Sequence, residues 1–177
     1  MKQRFIKIII TGIIIILAFI LQSSLSRVNY RSVATPNFLL ITTCIFGFMR
    51  GSNYGSITGF ACGLLVDIFF GDVIGLYALI YMYTGFFSGL FRKMFYSDHI
   101  FMPMLLVFSS DFFYNLACYT FRLLLRNKLD FSFYFYKIFL PEMVITTFVA
   151  FIVYRLFYLL NEKVFTLKQE NKLNFDR

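Results

Sequence analysis

Six runs of apolar residues dominate this chain, and only short polar stretches separate them. Hydrophobic residues make up 59% of the sequence and charged residues only 15%, with a mean hydropathy of +0.73. Globular domains average about 45–50% apolar and about 25% charged residues, and a chain of this size buries only about 70% of its surface on folding. Much of the apolar surface must face lipid, so the sequence predicts an all-α integral membrane protein.

The apolar runs have the length expected of membrane spans, since each transmembrane helix needs about 20 mostly apolar residues. Predicted spans lie near residues 6–25, 36–50, 55–71, 73–91, 101–122 and 139–160. They form a single predicted six-helix transmembrane bundle over residues 1–160. Residues 161–177 form a short polar tail, and too few residues remain for a soluble domain.

The second and third runs are short, so a re-entrant hairpin or a five-span topology is an alternative. Lysine and arginine counts discriminate between these, because cytoplasmic loops carry an excess of both. Six spans with a cytoplasmic N-terminus place eleven of these residues inside and six outside. If the second run does not cross, the balance becomes seven inside and ten outside. The predicted topology therefore has six spans with both termini in the cytoplasm.

The first run also has features of a signal peptide, because basic residues precede an apolar stretch. That stretch continues through Leu25 without a small-residue cleavage site, and further apolar runs follow. An uncleaved first helix is therefore the favoured interpretation.

The formal net charge of +8 indicates contact with lipid headgroups and control of topology, because the basic residues lie at the ends of apolar runs. No basic block alternates with aromatics, so nucleic acid is not a predicted partner. The cysteines Cys44, Cys62 and Cys118 lie inside apolar runs without C-x-x-C spacing. They are predicted to be small packing residues and not part of a disulfide framework or a metal site.

Glycines recur at every fourth residue of the third run, and the same spacing then leads to Asp67. Small residues at this spacing let a neighbouring helix backbone approach closely, which matters in lipid because packing replaces the hydrophobic drive. Packing within the chain is favoured over an interface between chains, although the pattern fits both. The glycines are Gly55, Gly59 and Gly63 in the third run and Gly85 and Gly89 in the fourth.

A polar stripe is predicted on the fifth helix, where Asp111 is followed by Asn115, Cys118 and Arg122 on one helix face. Asp111 lies near the predicted midplane, whereas Asp67 lies about one turn from the outer surface. A charge at the bilayer centre costs from about 3 to over 10 kcal/mol, depending on the method. The stripe should therefore face other helices and find polar partners there.

The outer end of this stripe is expected to bring Arg122 near Glu142 and Asp67. A structural network of paired charges is the favoured interpretation. A polar cavity for a small ligand, or for a helix of a partner, is the functional alternative.

Sequence motifs for catalysis are lacking, since no P-loop, nucleophile elbow or H-E-x-x-H occurs in the chain. The single histidine, His99, lies in a predicted cytoplasmic loop without clustered metal ligands. Asp67 and Asp111 are on different helices at different depths, which does not fit a paired-carboxylate mechanism. The chain is predicted to be neither an enzyme nor a cofactor-binding protein.

A set of short motifs marks the first half of the chain: LQSSL at 21–25, PNFLL at 36–40, GSITGFACGLLVD at 55–67, Gly71, and GLYAL at 75–79. Together they resemble the MreD family of rod shape-determining proteins. That family typically opens its second helix with a proline and a polar neighbour, here Pro36 and Asn37. A glycine-spaced helix ending in G-L-x-x-D and a G-L-x-A-L segment follow. The match is specific over roughly residues 21–90, and beyond it only length, span count and hydropathy agree.

The resemblance implies a part in bacterial cell-wall elongation at the cytoplasmic membrane. The implied partners are MreC, the actin-like MreB, RodA and the elongation penicillin-binding transpeptidase. The family's fold is similar to the substrate-binding subunits of energy-coupling-factor transporters, which supplies the alternative of a membrane-embedded vitamin binder. The favoured hypothesis is an adaptor for MreC. Its surface would be held by the glycine-faced third helix and the outer polar network, with Pro36, Asn37, Gly71 and Gly75 in packing or docking roles.

Overall fold

The computed structural model describes residues 2–28, 35–71, 74–94, 101–126 and 134–155. Apart from short turns these residues are helical, and no strand occurs among them, which confirms the predicted all-α class. The six helices are α1 (Lys2–Val28), α2 (Phe38–Arg50), α3 (Ser52–Phe70), α4 (Leu76–Met94), α5 (Phe101–Arg126) and α6 (residues 134–155). The predicted polar tail and His99 lie outside the described residues.

Three helical segments in the described part are long and apolar enough to cross a membrane. These are Ile8–Ser26, Ser52–Phe70 and Phe135–Arg155. Phe38–Arg50 and Leu76–Phe91 are apolar but shorter. The helices expose many large apolar side chains, such as Ile57 at 69% and Phe113 at 65%, as expected of a surface that faces lipid. Six membrane crossings remain a prediction.

Helix α2 is the central helix of the bundle, and it contacts α1, α3, α4 and α5. Every residue from 39 to 47 is buried, which fits a helix that is apolar on all sides. Its 13 residues extend only about 20 Å, short of the roughly 30 Å hydrocarbon core. Neighbouring helices surround α2, so the polar backbone groups at its ends can bond to other protein groups and are kept away from lipid.

The turn between α2 and α3 consists of a single residue, Gly51, with φ 99° and ψ 172°. Such positive-φ backbone is essentially restricted to glycine. The Gly51 N–H donates to the Gly47 carbonyl at 2.8 Å, and the Gly51 carbonyl accepts from the Gly55 N–H at 2.9 Å. Helix α3 therefore begins at Ser52, three residues before the predicted span.

The described part of α6 starts at residue 134, five residues before the predicted span. Residues 134–139 are helical and include a π-helical turn at Phe135–Phe139. Tyr134 and Phe139 are buried. Their rings pack on Tyr119 and Phe112 of α5, with centroids 5.3 Å and 5.4 Å apart. Packing against α5 thus holds this aromatic segment in a helix.

Candidate functional site

The glycine-spaced face of α3 packs directly on α4 of the same chain. A methyl group at any of these glycines would collide with α4 backbone, so the two helix axes approach closely only because side chains are missing there. The closest atoms belong to Gly85 for Gly55, to Tyr81 for Gly59 and to Ala78 for Gly63, while Gly89 faces Ser52. The described contacts therefore place this face inside the bundle and make α3 and α4 one tightly packed pair.

Asp67, at the end of α3, binds the start of α4. Its Oδ1 accepts the N–H of Tyr77 at 2.9 Å, and its Oδ2 accepts the N–H of Ala78 at 2.8 Å. The first N–H groups of a helix have no partner within the helix, and the positive end of the helix dipole favours an anion there. Asp67, which is 2% exposed, thus caps α4 from the preceding helix.

The connection between these helices depends on Gly71 and Gly75. A Cβ at Gly71 would lie 2.7 Å from the carbonyl oxygen of Asp67, one helical turn earlier, so only glycine lets α3 end at this point without a backbone shift. Gly75 has φ +101°, a backbone conformation that side chains disfavour. The spacing from Asp67 to Gly75 is therefore that of a tight helical hairpin closed by a carboxylate cap.

Asn37 connects three helices at the start of α2. Its Oδ1 accepts from the N–H of Leu40 at 3.1 Å and from the Tyr81 hydroxyl of α4 at 2.7 Å. Its own N–H donates to the Thr146 hydroxyl of α6 at 3.3 Å. Asn37 is 2% exposed, and its neighbour Pro36 is also buried. The asparagine is therefore both the N-cap of α2 and the point where α2, α4 and α6 are joined.

Gln22 of α1 completes this junction, since its Oε1 accepts the Leu39 N–H at 3.1 Å. The Asn37 carbonyl accepts the Ile41 N–H at 3.1 Å. The first N–H groups of α2 thus find acceptors although they lie inside the bundle.

A polar pocket opens beside Asn37 at the end of the bundle that is predicted to face outward. Its volume is about 170 Å³, and helices α1, α5 and α6 form its walls. Hydroxyl, amide and carboxyl groups dominate the lining, and Glu142 is the acid among them. The residues are Gln22, Thr35, Asn37, Tyr114, Asn115, Cys118, Tyr134, Ile138 and Glu142.

The predicted stripe on α5 leads into this polar pocket. Asn115 lines the pocket, and its Nδ2 donates to the Asp111 carbonyl at 3.1 Å. Asp111 is fully buried, and neither of its carboxylate oxygens has a hydrogen-bond partner among the described residues. The Thr146 hydroxyl lies close to the Asp111 carboxyl, outside hydrogen-bonding geometry. The acid thus lies one helical turn from the pocket, among other polar groups.

The structure brings only some of the predicted network together. Asn115 and Glu142 share the polar pocket with Asn37. Asp67 was expected near this group, but it caps α4 instead. The predicted contact of Arg122 falls on a side chain outside the described residues.

Several residues of the site could not be recognised as site residues from the sequence. Tyr81 and Thr146 are buried partners of Asn37 from distant helices. Tyr114 and Tyr134 are aromatic residues in a sequence rich in aromatics. For Gln22 a signal existed, because it belongs to the LQSSL segment.

The side chains of this site offer hydrogen-bond donors and acceptors. In the part of the chain that the structure describes, no group of three or more His, Cys, Asp or Glu residues is placed to hold a metal ion. Cys44, Cys62 and Cys118 are buried free thiols. The polar pocket combines donors, acceptors and one carboxylate at an open end of the bundle.

Comparisons with known proteins agree with the motifs at the site. The family model for the rod shape-determining protein MreD matches residues 3–164, which include both halves of the bundle. No curated protein and no solved structure matches the chain, so the expected likeness to energy-coupling-factor subunits is without support. Since the matched region covers nearly the whole sequence, the chain belongs to the MreD family of rod shape-determining proteins.

Proposed function

We propose that this protein is a membrane scaffold of the bacterial cell-wall elongation complex and that its outer end docks MreC. Membership of the MreD family implies a role in determining rod shape. MreB, RodA and the elongation penicillin-binding transpeptidase are the further members of the proposed complex. The protein would lie in the cytoplasmic membrane with six spans and both termini in the cytoplasm.

The observation that carries the proposal is the rigid construction of the predicted outer end. Asn37 joins α2, α4 and α6, Gln22 joins α1 to α2, and Asp67 joins α3 to α4. Five helices are thereby joined by buried or partly buried hydrogen bonds. A preorganised surface binds a partner with less loss of conformational entropy, which suits a docking platform.

The polar pocket supplies the place where an outer segment of MreC would insert side chains. Its mouth includes Ile138, which is 38% exposed, next to the amide and carboxyl groups of the interior. An apolar side chain beside polar groups provides contact area, and the polar groups provide hydrogen-bonding specificity. Partner side chains therefore fit this pocket in size and chemistry.

The vitamin-binding alternative is less well supported by the same geometry. Sites for small molecules are typically about 300–1,000 Å³ in volume. The polar pocket measures about 170 Å³, too small to enclose a vitamin. A scaffold that receives side chains is consistent with this volume.

The proposal is tested by blocking the mouth of the pocket. Ile138→Arg would place a guanidinium beside Glu142 and fill the pocket, so MreC should no longer co-purify from solubilised membranes. Tyr136→Arg is the matched control, because Tyr136 lies in the same helical turn, is 73% exposed and does not line the pocket. Normal recovery of MreC with Ile138→Arg, at normal protein level, would refute outer-end docking.

The proposed topology has its own test. A reporter that is active only in the periplasm, fused after Arg177, should be inactive, and a cytoplasmic reporter at the same place should be active. The opposite pattern would show that the C-terminus lies in the periplasm, and the polar pocket could then no longer be assigned to the outer side of the membrane.

A further inference from the structure

The described lining of the polar pocket contains three side-chain amides, and each is held in one orientation by a backbone group. They belong to Gln22, Asn37 and Asn115. A carboxamide carries one acceptor oxygen and one NH2 donor group. Which of the two faces a neighbour is settled when that neighbour can only donate or only accept. The orientations of these amides therefore determine what the pocket offers to an occupant.

Gln22 and Asn37 use their oxygens inside the protein. The Oε1 atom of Gln22 accepts the N–H of Leu39 at 3.1 Å, and the Oδ1 atom of Asn37 accepts the N–H of Leu40 at 3.1 Å. A backbone N–H can only donate, so the NH2 groups of both side chains point away from these contacts. Neither NH2 group has a hydrogen-bond partner among the described residues, and neither is fully enclosed. Both are therefore available to donate into the pocket.

Asn115 is oriented the opposite way. Its Nδ2 donates to the Asp111 carbonyl at 3.1 Å, and because a carbonyl can only accept, the atom left for the pocket is Oδ1. This oxygen also has no partner among the described residues and is not fully enclosed. The polar pocket thus presents two fixed donor groups, from α1 and from the start of α2, and one fixed acceptor, from α5.

This arrangement is complementary to a carboxamide. The oxygen of an incoming carboxamide would accept from Gln22 and Asn37, while its NH2 group would donate to Asn115. A carboxylate has no N–H for Asn115 and would lie beside Glu142. An ammonium group has no acceptor for the two NH2 groups. The hydroxyl groups in the lining can donate or accept, so they do not discriminate between these occupants.

The volume of the polar pocket suits one such side chain. At about 170 Å³, it has room for about six groups of the size of a water molecule, which occupies about 30 Å³. The side chain of glutamine is slightly smaller than this, and that of asparagine is shorter by one methylene. A phospholipid headgroup, with its phosphate and its alcohol, is larger than the pocket.

We infer that the polar pocket selects a protein partner by binding the carboxamide side chain of an asparagine or a glutamine. Gln22 and Asn37 would recognise its oxygen, and Asn115 would recognise its NH2 group. The same hydrogen bonds that join the helices would thereby also orient the recognition groups. The inference rests on the proposed docking role of this pocket and adds the chemistry of the partner residue.

Photo-cross-linking in intact membranes tests the chemistry of the partner. A photoreactive side chain replaces Ile138, which lines the pocket, and the cross-linked peptide is identified by mass spectrometry. The expected product is a protein segment with an asparagine or glutamine beside the cross-link. Changing that residue of the partner to the acid of the same shape should lower the yield about tenfold or more. Lipid adducts alone, a segment without a carboxamide, or an unchanged yield with the acid would each overturn the inference.

Gln22→Glu tests the donor side within this chain. One carboxylate oxygen can still accept the Leu39 N–H, so the contact between α1 and α2 is kept, while the other oxygen replaces the NH2 group. At pH 8, chosen to ionise the new carboxyl, the yield from position 138 should fall about tenfold or more, with the unfolding temperature unchanged. Asn37→Asp makes the same exchange at the start of α2 and replaces this variant if Gln22→Glu does not fold.

Ser24→Glu is the matched control. It adds the same charge to α1 at an exposed position that does not line the pocket, so the yield from position 138 should stay at the wild-type level. An unchanged yield in a folded Gln22→Glu or Asn37→Asp variant, or an equal loss in Ser24→Glu, would overturn the inference.

The outcomes also separate this inference from the proposed function. An MreC adduct whose yield does not depend on the carboxamide would overturn the inference and leave docking at the pocket standing. A carboxamide-dependent adduct with a different protein would support the inference and contradict docking of MreC. The absence of any protein adduct at position 138 would overturn both.

Discussion

Replacing Gly59 with alanine tests the close packing of α3 on α4 most sharply. The added methyl carbon would lie 2.7 Å from the carbonyl carbon of Tyr81 and 3.0 Å from Cγ2 of Thr43. Ordinary carbon contacts are about 3.5–4.0 Å. The α4 backbone must therefore withdraw by about 1 Å, and the contacts above and below Gly59 would loosen with it.

The expected cost follows from overpacking in a well-packed interior, which destabilises by about 1–3 kcal/mol. For a chain of this length each kcal/mol lowers the unfolding temperature by about 2–4 °C. Gly59→Ala should therefore lower the unfolding temperature by about 2–12 °C, and a larger side chain such as leucine should lower it further.

The measurement is thermal unfolding of the detergent-solubilised protein, followed by loss of the monodisperse peak in size-exclusion chromatography. Gly12→Ala is the control, because a Cβ at Gly12 of α1 meets no atom within 4 Å. The control should unfold at or above the wild-type temperature. If both variants unfold at the wild-type temperature, the glycine spacing does not hold α3 against α4.

Five further variants test the polar contacts inside the bundle, each by the same thermal assay. Asp67→Ala should cost about 2–6 kcal/mol, because two buried N–H groups lose their acceptor at about 1–3 kcal/mol each. Asp67→Asn keeps one acceptor oxygen and should cost less. An equal fall in unfolding temperature for Asp67→Ala and Asp67→Asn would contradict the capping role of Asp67. Tyr81→Phe should destabilise the protein less than Asn37→Ala, because the second variant also removes the cap of α2. The reverse order would show that Asn37 is not the residue that joins these helices. Asp111→Asn should keep or raise the unfolding temperature, because it replaces a buried ionisable carboxyl, which has no hydrogen-bond partner among the described residues, with a neutral amide of the same shape. A clear drop would show that the carboxyl has a stabilising partner.

The sequence was most informative where local spacing determines the contact. Glycines four residues apart predicted close packing of α3, and hydropathy predicted an all-helical chain with six helices. Asp67 and Gly75 stand close together in the sequence, so their turn chemistry could be recognised from the family motif. These features need no knowledge of distant residues.

Contacts between distant segments could not be predicted in this way. Asn37 binds Tyr81 and Thr146, which are 44 and 109 residues further along the chain. Nothing in the local sequence marks either residue as its partner. The sequence predicts Asp67 near Arg122 and Glu142 because all three are assigned to the outer end, whereas in the structure Asp67 accepts from the first N–H groups of α4.

Whether the outer end docks MreC is tested most directly by photo-cross-linking at the mouth of the polar pocket in growing cells. A photoreactive residue at position 138 should give an adduct with MreC, and the same residue at position 136, in the same helical turn but outside the pocket, should not. An MreC adduct of equal yield at both positions, or none at position 138 with the protein at its normal level, would contradict docking at this pocket.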